Sequence, residues 1–335
     1  MSASSRLPLS YVLPVKLAAG EDAGDLTDYL THLREWCDEV FVVDGSAPAV
    51  FAANAQRWSP LVHHRAPDPR HDCLNAKVMG VLTGAEQARH EHLVIADDDV
   101  RYDRASLART HELLAAYDLV RPQNVFDPVP WHALWDTARS LLNRAVGADF
   151  PGTLAVRRSR LLAAGGYDGN AMFENLELIR TIETAGGRTV APLDLFVIRR
   201  PPTSGQFWGQ RIRQAYDDFA IPLRMALWLS ILPVLAVRRR SPATLGTMAS
   251  AAVLVAERGR RRGGGTNVFP LRASLLAPLW VLERAVCSWL AVGQRLRFGG
   301  VRYRGGVIPL AAHSTATLRR RAAAREPVRN PGDEA

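Results

Sequence analysis

The sequence predicts an α/β chain, a mixed and mainly parallel sheet between helices, followed by a basic and apolar helical region. Three observations predict it. Short apolar runs alternate with helical patterns up to about residue 200, as a βαβ-built sheet requires. Two of those runs end in acids, Val43-Asp44-Gly45-Ser46 and Ile95-Ala96-Asp97-Asp98-Asp99. Beyond Ile221 the composition switches to apolar stretches separated by arginines.

At 335 residues and 47% hydrophobic, the chain has room for two ordinary domains, or one large domain with an appendage. Its net charge of +9 comes almost wholly from arginine. Lysine occurs only at Lys16 and Lys77, and an ammonium is not interchangeable with a guanidinium at a tight site. Cys37, Cys73 and Cys287 lie far apart without CxxC spacing, which argues against a disulfide framework or zinc site and fits a reducing compartment. The stretch from Met1 to Ser10 lacks the apolar core of a signal peptide, so the first domain is expected in the cytoplasm. His63, His64, His71, His90 and His92 repeat no metal-ligand spacing.

Strands are expected at 10–17, 39–43, 61–64 and 93–96, with helices between them at 25–36 and 75–89. Open α/β sheets bind ligands beyond the carboxyl ends of their strands. Asp97, Asp98 and Asp99 would sit there, and crowded carboxylates repel one another unless a cation lies among them. Hard oxygen ligands suit Mg²⁺ or Mn²⁺. The competing reading is an acidic turn capping a helix that starts near Arg104. Asp44 is either an ordinary Asp-Gly turn residue or a second acid at the same edge, bonding the base or ribose of a nucleotide.

Further on, a helix is expected at 131–146, a turn and short strand at 150–158, and a helix-stop turn at Gly165-Gly166-Tyr167-Asp168. Glu174 and Glu177 share one face at the start of a helix expected at 173–185. The helix dipole favours ionised carboxylates there, which is also a structural reason for acids at that end. A polar helix at 205–220 carries Gln210 and Arg213 on one face. That pair suits a diphosphate, or is a solvated basic face.

The apolar stretches 223–237 and 244–256 each span only about 20 Å as helices, short of a hydrocarbon core about 30 Å thick. Arg238-Arg239-Arg240 separates them, and Arg258, Arg260, Arg261 and Arg262 follow. A crossing by the first would put the triple arginine outside, against the positive-inside tendency. Helices lying in the cytoplasmic interface are expected instead, with arginines on anionic headgroups. A hairpin in a thinned bilayer and a soluble helical subdomain are the alternatives. The stretch 271–292 is long enough to span but contains Arg272, Glu283 and Arg284. No aromatic stacking platform accompanies the arginines, so no nucleic-acid partner is expected. The Arg-, Ala- and Pro-rich tail from 307 to 335 is expected to be disordered.

Set in order, these motifs resemble the family 2 glycosyltransferases of the GT-A fold, on the membrane-associated side that holds ceramide glucosyltransferases and cellulose synthases. The resemblance covers residues 11–219, and implies a catalytic domain at 1–220 and membrane-associated helices at 221–306. It implies that Pro14, Asp44, Gly45, Ser46, Lys77, Asp97, Asp98, Gln210 and Arg213 bind the donor, a UDP-sugar. Asp97 and Asp99 would hold Mg²⁺ or Mn²⁺ as a DxD motif. Gly152, Thr153, Gly166, Tyr167, Asp168 and Gln214 would line the sugar and acceptor pocket. Asn175 stands where the family has its basic Asp, so the base would be Glu174 or Glu177. Gln214 replaces the Trp of a QxxRW motif. The implied reaction is inverting sugar transfer to an acceptor hydroxyl, on a lipid at the cytoplasmic membrane face. The rivals are a nucleotidyltransferase on a similar sheet, for which Lys16 with Gly20 makes a poor phosphate loop, and a catalytically degenerate nucleotide-sugar-binding protein of the membrane surface.

Overall fold

The computed structural model describes residues 6–303 and 306–325. Successive βα units begin the chain: β1 (Leu7–Val15), α1 (Gly24–Trp36), β2 (Cys37–Asp44), α2 (Pro48–Trp58), β3 (His63–Arg65), α3 (Ala76–Gln87) and β4 (His92–Ala96). Their strands pair in parallel in the order β3-β2-β1-β4. Both faces are covered, which is why these strands are nearly continuous apolar runs. Leu9, Tyr11, Leu13, Val42 and Val94 face one core, and Val12, Phe41, Val43, Leu93 and Ile95 the other. Helix α3 lies tight on β1, and a Cβ at Gly84 would stand 2.5 Å from the Val12 side chain. The chain winds outward from β1 to β3, then returns to β4 on the other side of β1. That reversal opens a crevice beyond the carboxyl ends of β1 and β4.

The middle of the chain adds β5 (Val100–Arg101), α4 (Arg104–Leu114), β6 (Leu119–Val120), β7 (Gln123–Phe126), α5 (Trp131–Val146), β8 (Thr153–Arg157), α6 (Arg158–Ala163), α7 (Glu174–Thr184), β9 (Thr189–Val190), β10 (Phe196–Arg199) and α8 (Ser204–Tyr216). Strand β8 runs antiparallel between β4 and β6, completing a seven-stranded sheet ordered β3-β2-β1-β4-β8-β6-β9. A smaller sheet, β5-β10-β7, lies over the crevice-bearing end. Helix α4 is capped by Asp103, whose carboxylate accepts from Ser106 N at 2.7 Å. The three aspartates at 97–99 are therefore not the cap of that helix.

The remaining elements are α9 (Pro222–Arg238), α10 (Pro242–Arg261), α11 (Leu271–Leu275), α12 (Ala277–Phe298), β11 (Val301–Tyr303), β12 (Gly306–Ile308) and α13 (Thr315–Arg325). Helix α10 packs on α5, and α12 packs on α8 and α9. Ala138 and Leu141 of α5 share one core with Ala256, Phe269 and Trp280. Arg144 is wholly buried in that seam, donating to Gln123 Oε1 and to the carbonyls of Leu193, Gly259 and Arg262. The basic and apolar region is thus built onto the sheet rather than hung from it. Among the described residues, no helix is long and apolar enough to cross a membrane.

The expectation of disorder from residue 307 is overturned as far as Arg325. Met172 N and Phe173 N donate to Leu310 O and Ala311 O at 2.9 and 2.8 Å, so the segment lies along the start of α7. Helix α13 then packs on α7 itself. The composition is poor in large apolar residues, but Ile308, Ala311, Ala312 and Leu318 are all buried. Residues 326–335 lie outside the described residues.

Candidate active site

A cavity of about 160 Å³ opens where the end of β4 meets the starts of β8 and α7, with α8, α9 and α12 as its far wall. At its floor Asp97 Oδ1 pairs with Lys77 Nζ at 2.5 Å, and the same ammonium donates to Glu174 Oε1 at 2.7 Å. Arg199 Nε donates to Asp99 Oδ2 at 2.8 Å, and its Nη2 lies 3.7 Å from Asp97 Oδ2. Burial alone would depress the Lys77 ammonium, but Asp97 and then Glu174 hold it above its ordinary range. For Arg199 the same opposition runs between burial and the charges of Asp99 and Asp97, which again win.

Local folding explains each position. Asn75 caps α3 by accepting from Lys77 N at 3.2 Å, and so sets Lys77 in the first turn. Glu174 opens α7. Strand β5 follows Asp99 directly and pairs antiparallel with β10, setting Val100 opposite Arg199. Arg200 N donates to Asp99 O at 2.7 Å, which locks that register. Gly152 lies so close to Asp97 that a Cβ there would stand 2.6 Å from Oδ2.

Asp97 and Asp99 fit a hard divalent cation. Asp99 Oδ1 is buried without a hydrogen-bond partner. Burial raises the pKa of Asp99, with Arg199 offsetting part of the effect. Among the described residues, no three His, Cys, Asp or Glu side chains converge on a metal position. Two carboxylates completed by substrate phosphates and water are a set that Mg²⁺-type ions commonly use.

Gln210, Arg213 and Gln214 all line the cavity. Gln214 Oε1 also accepts from Arg211 Nη1 at 2.9 Å. Position 214 is not aromatic, but two tryptophans from other helices line the cavity. Trp228 of α9 and Trp280 of α12 meet edge to face in the cavity wall, 5.6 Å between centroids at 80°. The buried Trp280 Nε1 has no hydrogen-bond partner. Arg199, Asp217, Trp228, Trp280 and Arg284 join the site although no motif singled them out for it. The one visible signal for Arg199 is an apolar run, Leu195 to Ile198, ending in two arginines.

Several expected residues are not brought into this cavity. Glu177 is fully buried, accepting from His313 N at 2.7 Å and from the His313 ring at 2.8 Å. It fixes the C-terminal segment and cannot serve as base here, because its face of α7 turns toward that segment. Asp44 is 1% exposed and saturated from within, by Ser46 N, Asn54 Nδ2 and His64 Nε2 at 2.8, 2.8 and 3.1 Å. Burial works to raise its pKa, yet the bonds from His64, Ser46 and Asn54 outweigh it and hold the carboxyl down at about 2. Gly45 N donates to Val15 O and Leu17 N to Ser46 Oγ, so this turn clasps β1 to β2. Pro14 lies in β1 beneath Gly80 of α3. Thr153 is buried, donating to Ile95 O at 2.7 Å. Asp98 is exposed, and its carbonyl accepts from Arg101. Gly166, Tyr167 and Asp168 line a different cavity of about 800 Å³, walled on one side by α13. There Arg321 holds Asp168 at 2.9 Å.

No family model matches the sequence, and no curated protein matches it. Among solved structures, a mannosyltransferase from Pyrobaculum calidifontis in complex with GDP-mannose and Mn²⁺ is similar over 86% of this chain and 88% of its own, at 21% identity and a TM-score of 0.51. A mannosyl-3-phosphoglycerate synthase from Rubrobacter xylanophilus is 15% identical with a TM-score of 0.41, over 62% of this chain and 71% of that one. Residues 1–349 of S. aureus TarS are 11% identical with a TM-score of 0.43, over 90% and 96%. The likeness to the Pyrobaculum mannosyltransferase gives this chain a glycosyltransferase fold of the GT-A type.

Proposed function

We propose that this chain moves a sugar from a nucleoside diphosphate sugar to an acceptor hydroxyl, with inversion, at the cytoplasmic face of a membrane. One observation carries the reading. Asp97 and Asp99 stand with Lys77, Arg199 and Glu174 at the end of β4, beside the cavity that Arg213 also lines. The motif resemblance favours a UDP-linked donor, while the mannosyltransferase of this fold was solved with GDP-mannose and Mn²⁺. Mg²⁺ or Mn²⁺ held by Asp97 and Asp99 would supply positive charge opposite the diphosphate.

The chain's own groups account for the rest. Arg213 and Gln210 flank the cavity where the departing diphosphate gathers charge, and a guanidinium meets phosphate oxygens in pairs. Trp228 and Trp280 give the sugar or acceptor an apolar wall with one N–H donor. The acceptor hydroxyl attacks the anomeric carbon opposite the diphosphate as a cavity carboxylate takes its proton. Of the two glutamates considered for that role, only Glu174 is in the cavity.

The membrane location rests on the helices that build the far wall. Helices α9 and α12 lie side by side, with Trp289 Nε1 donating to Leu229 O at 3.2 Å. They expose Leu223 (87%), Val237 (80%) and Leu296 (83%), and α10 exposes Leu254 (68%). Exposed Arg238, Arg239 and Arg240 follow Val237 directly, and exposed Arg258 lies one helical turn beyond Leu254. Apolar side chains next to guanidinium groups suit an anionic lipid surface. A lipid acceptor would then enter the cavity from the surface its own wall rests on.

The test is release of nucleoside diphosphate from a panel of UDP- and GDP-sugars, with Mn²⁺ and vesicles containing anionic lipid extract. Turnover is expected with one donor, dependent on the metal and stimulated by the vesicles. Nucleotide binding without turnover on any donor would leave the degenerate binding protein as the better account.

A further inference from the structure

We infer that Asp217, a residue outside every motif that pointed to the site, is the carboxylate that takes the proton from the acceptor hydroxyl. This rests on the proposed sugar transfer and names the base within it. Asp217 opens the 3₁₀ turn Asp217–Ala220, directly after the helix that carries Gln210 and Arg213. It lines the same cavity as Asp97, Glu174 and Arg213. Its Oδ1 is buried and accepts no hydrogen bond, which leaves a lone pair unsatisfied beside the cavity.

The other carboxylates of the cavity are committed. Asp97 and Glu174 share the Lys77 ammonium, at 2.5 and 2.7 Å. Asp218 Oδ2 also accepts no hydrogen bond, but its carboxylate is held by two guanidinium groups, Arg224 at 2.5 Å and Arg284 at 3.5 Å. Asn175, where the resemblance implies a base, donates its amide to Pro151 O at 2.9 Å and has no useful basicity.

Electrostatics agree with the geometry. Burial raises Asp217 most, the charges of Glu174 from α7 and of Asp218 beside it raise it further, and Arg213 and Arg284 pull it back. Arg224 of α9 lines the same cavity. The balance holds the carboxyl at about 8. A base poised near the working pH accepts a proton with more driving force than an ordinary carboxylate.

The acceptor oxygen forms its bond to the anomeric carbon while the bond from that carbon to the diphosphate oxygen breaks. The electron pair of that bond leaves with the nucleoside diphosphate. The hydroxyl proton moves to Asp217 Oδ1, which ends neutral and later returns the proton to water.

The experiment uses the full chain with Mn²⁺, vesicles containing anionic lipid extract as the source of acceptor hydroxyls, and either UDP-glucose or GDP-mannose, following release of UDP or GDP against pH from 5.5 to 9.5. Wild type should climb about tenfold per pH unit and level off near 8. Asp217→Asn should lose about 10²- to 10⁴-fold in rate and lose that limb, with nucleotide and Mn²⁺ binding by calorimetry unchanged. Glu174→Gln removes a negative neighbour, so it should keep the limb and move it to lower pH. Asp217→Asn turning over within threefold of wild type overturns the inference alone. So does a limb that vanishes in Glu174→Gln and persists in Asp217→Asn. A wild-type chain that binds neither nucleotide with Mn²⁺ sinks the proposed function and this inference together.

Discussion

Arg199 Nε lies 2.8 Å from Asp99 Oδ2, at the point where two short strands bring distant parts of the chain into register. The guanidinium neutralises a carboxylate that would otherwise face Asp97 across a small space. It also competes with any cation those two acids could hold. Arg199→Ala should therefore lower stability by about 1–2 kcal/mol, as expected for a partly exposed pair that leaves one charge uncompensated. Mn²⁺ should raise the melting temperature of the variant more than that of wild type. Thermal melts of both proteins across a Mn²⁺ series check this, and a smaller Mn²⁺ response in the variant would count against the competition.

The C-terminal segment should prove part of the folded unit. The His313 ring and backbone N–H both donate to the buried Glu177 carboxylate. His313→Ala leaves that carboxylate with one donor fewer, a loss of about 1–3 kcal/mol. Its melting temperature should fall. An unchanged melt would mean the segment is not docked on α7.

Asp44 should make stability pH-dependent at the acid end. Its folded-state pKa of about 2 lies below the ordinary value of 3.8, so the stabilisation is fully present above about pH 4 and is lost as pH falls toward 2. That depression is worth about 2.5 kcal/mol. Denaturant melts between pH 2 and 5 should show a slope in wild type that is shallower in Asp44→Asn. Equal slopes in the two proteins would remove Asp44 as its source.

The proposed membrane contact should depend on the exposed residues of α9, and a wild-type chain that does not bind anionic vesicles would remove it. Burying a Leu or Val side chain in lipid contributes roughly 1.5–3 kcal/mol, so Leu223→Asp with Val237→Asp should weaken vesicle binding by at least about tenfold. Co-sedimentation with phosphatidylglycerol vesicles measures it, and raised salt should weaken binding of both proteins through screening at the arginines. Equal binding by the double variant would move the contact elsewhere.

Much of the sheet domain was legible because its first strands are apolar runs bounded by turn residues, and α5 spans the expected 131–146. The two-residue strands β6 and β9 carry no periodicity of their own and exist only through pairing. At the cavity, Asp97 and Asp99 stood out as acids closing an apolar run, Glu174, Gln210 and Arg213 by their i, i+3 spacing, and Lys77 only by the motif resemblance. Arg199 did not stand out, because its place comes from the non-local pairing of β10 with β5. Trp228 and Trp280 come from helices whose composition spoke only of lipid. Glu177 misled for a related reason. Three residues turn a helix by about 300°, so neighbours near one face can still front different elements.

On the proposed function, Asp97 and Asp99 hold a metal that fastens a nucleoside diphosphate in the cavity. Calorimetry of UDP and GDP, with and without Mn²⁺, on wild type and Asp99→Ala measures this. One nucleotide should bind wild type only with Mn²⁺, and that binding should disappear in Asp99→Ala. Nucleotide binding that ignores both the metal and the substitution would contradict it.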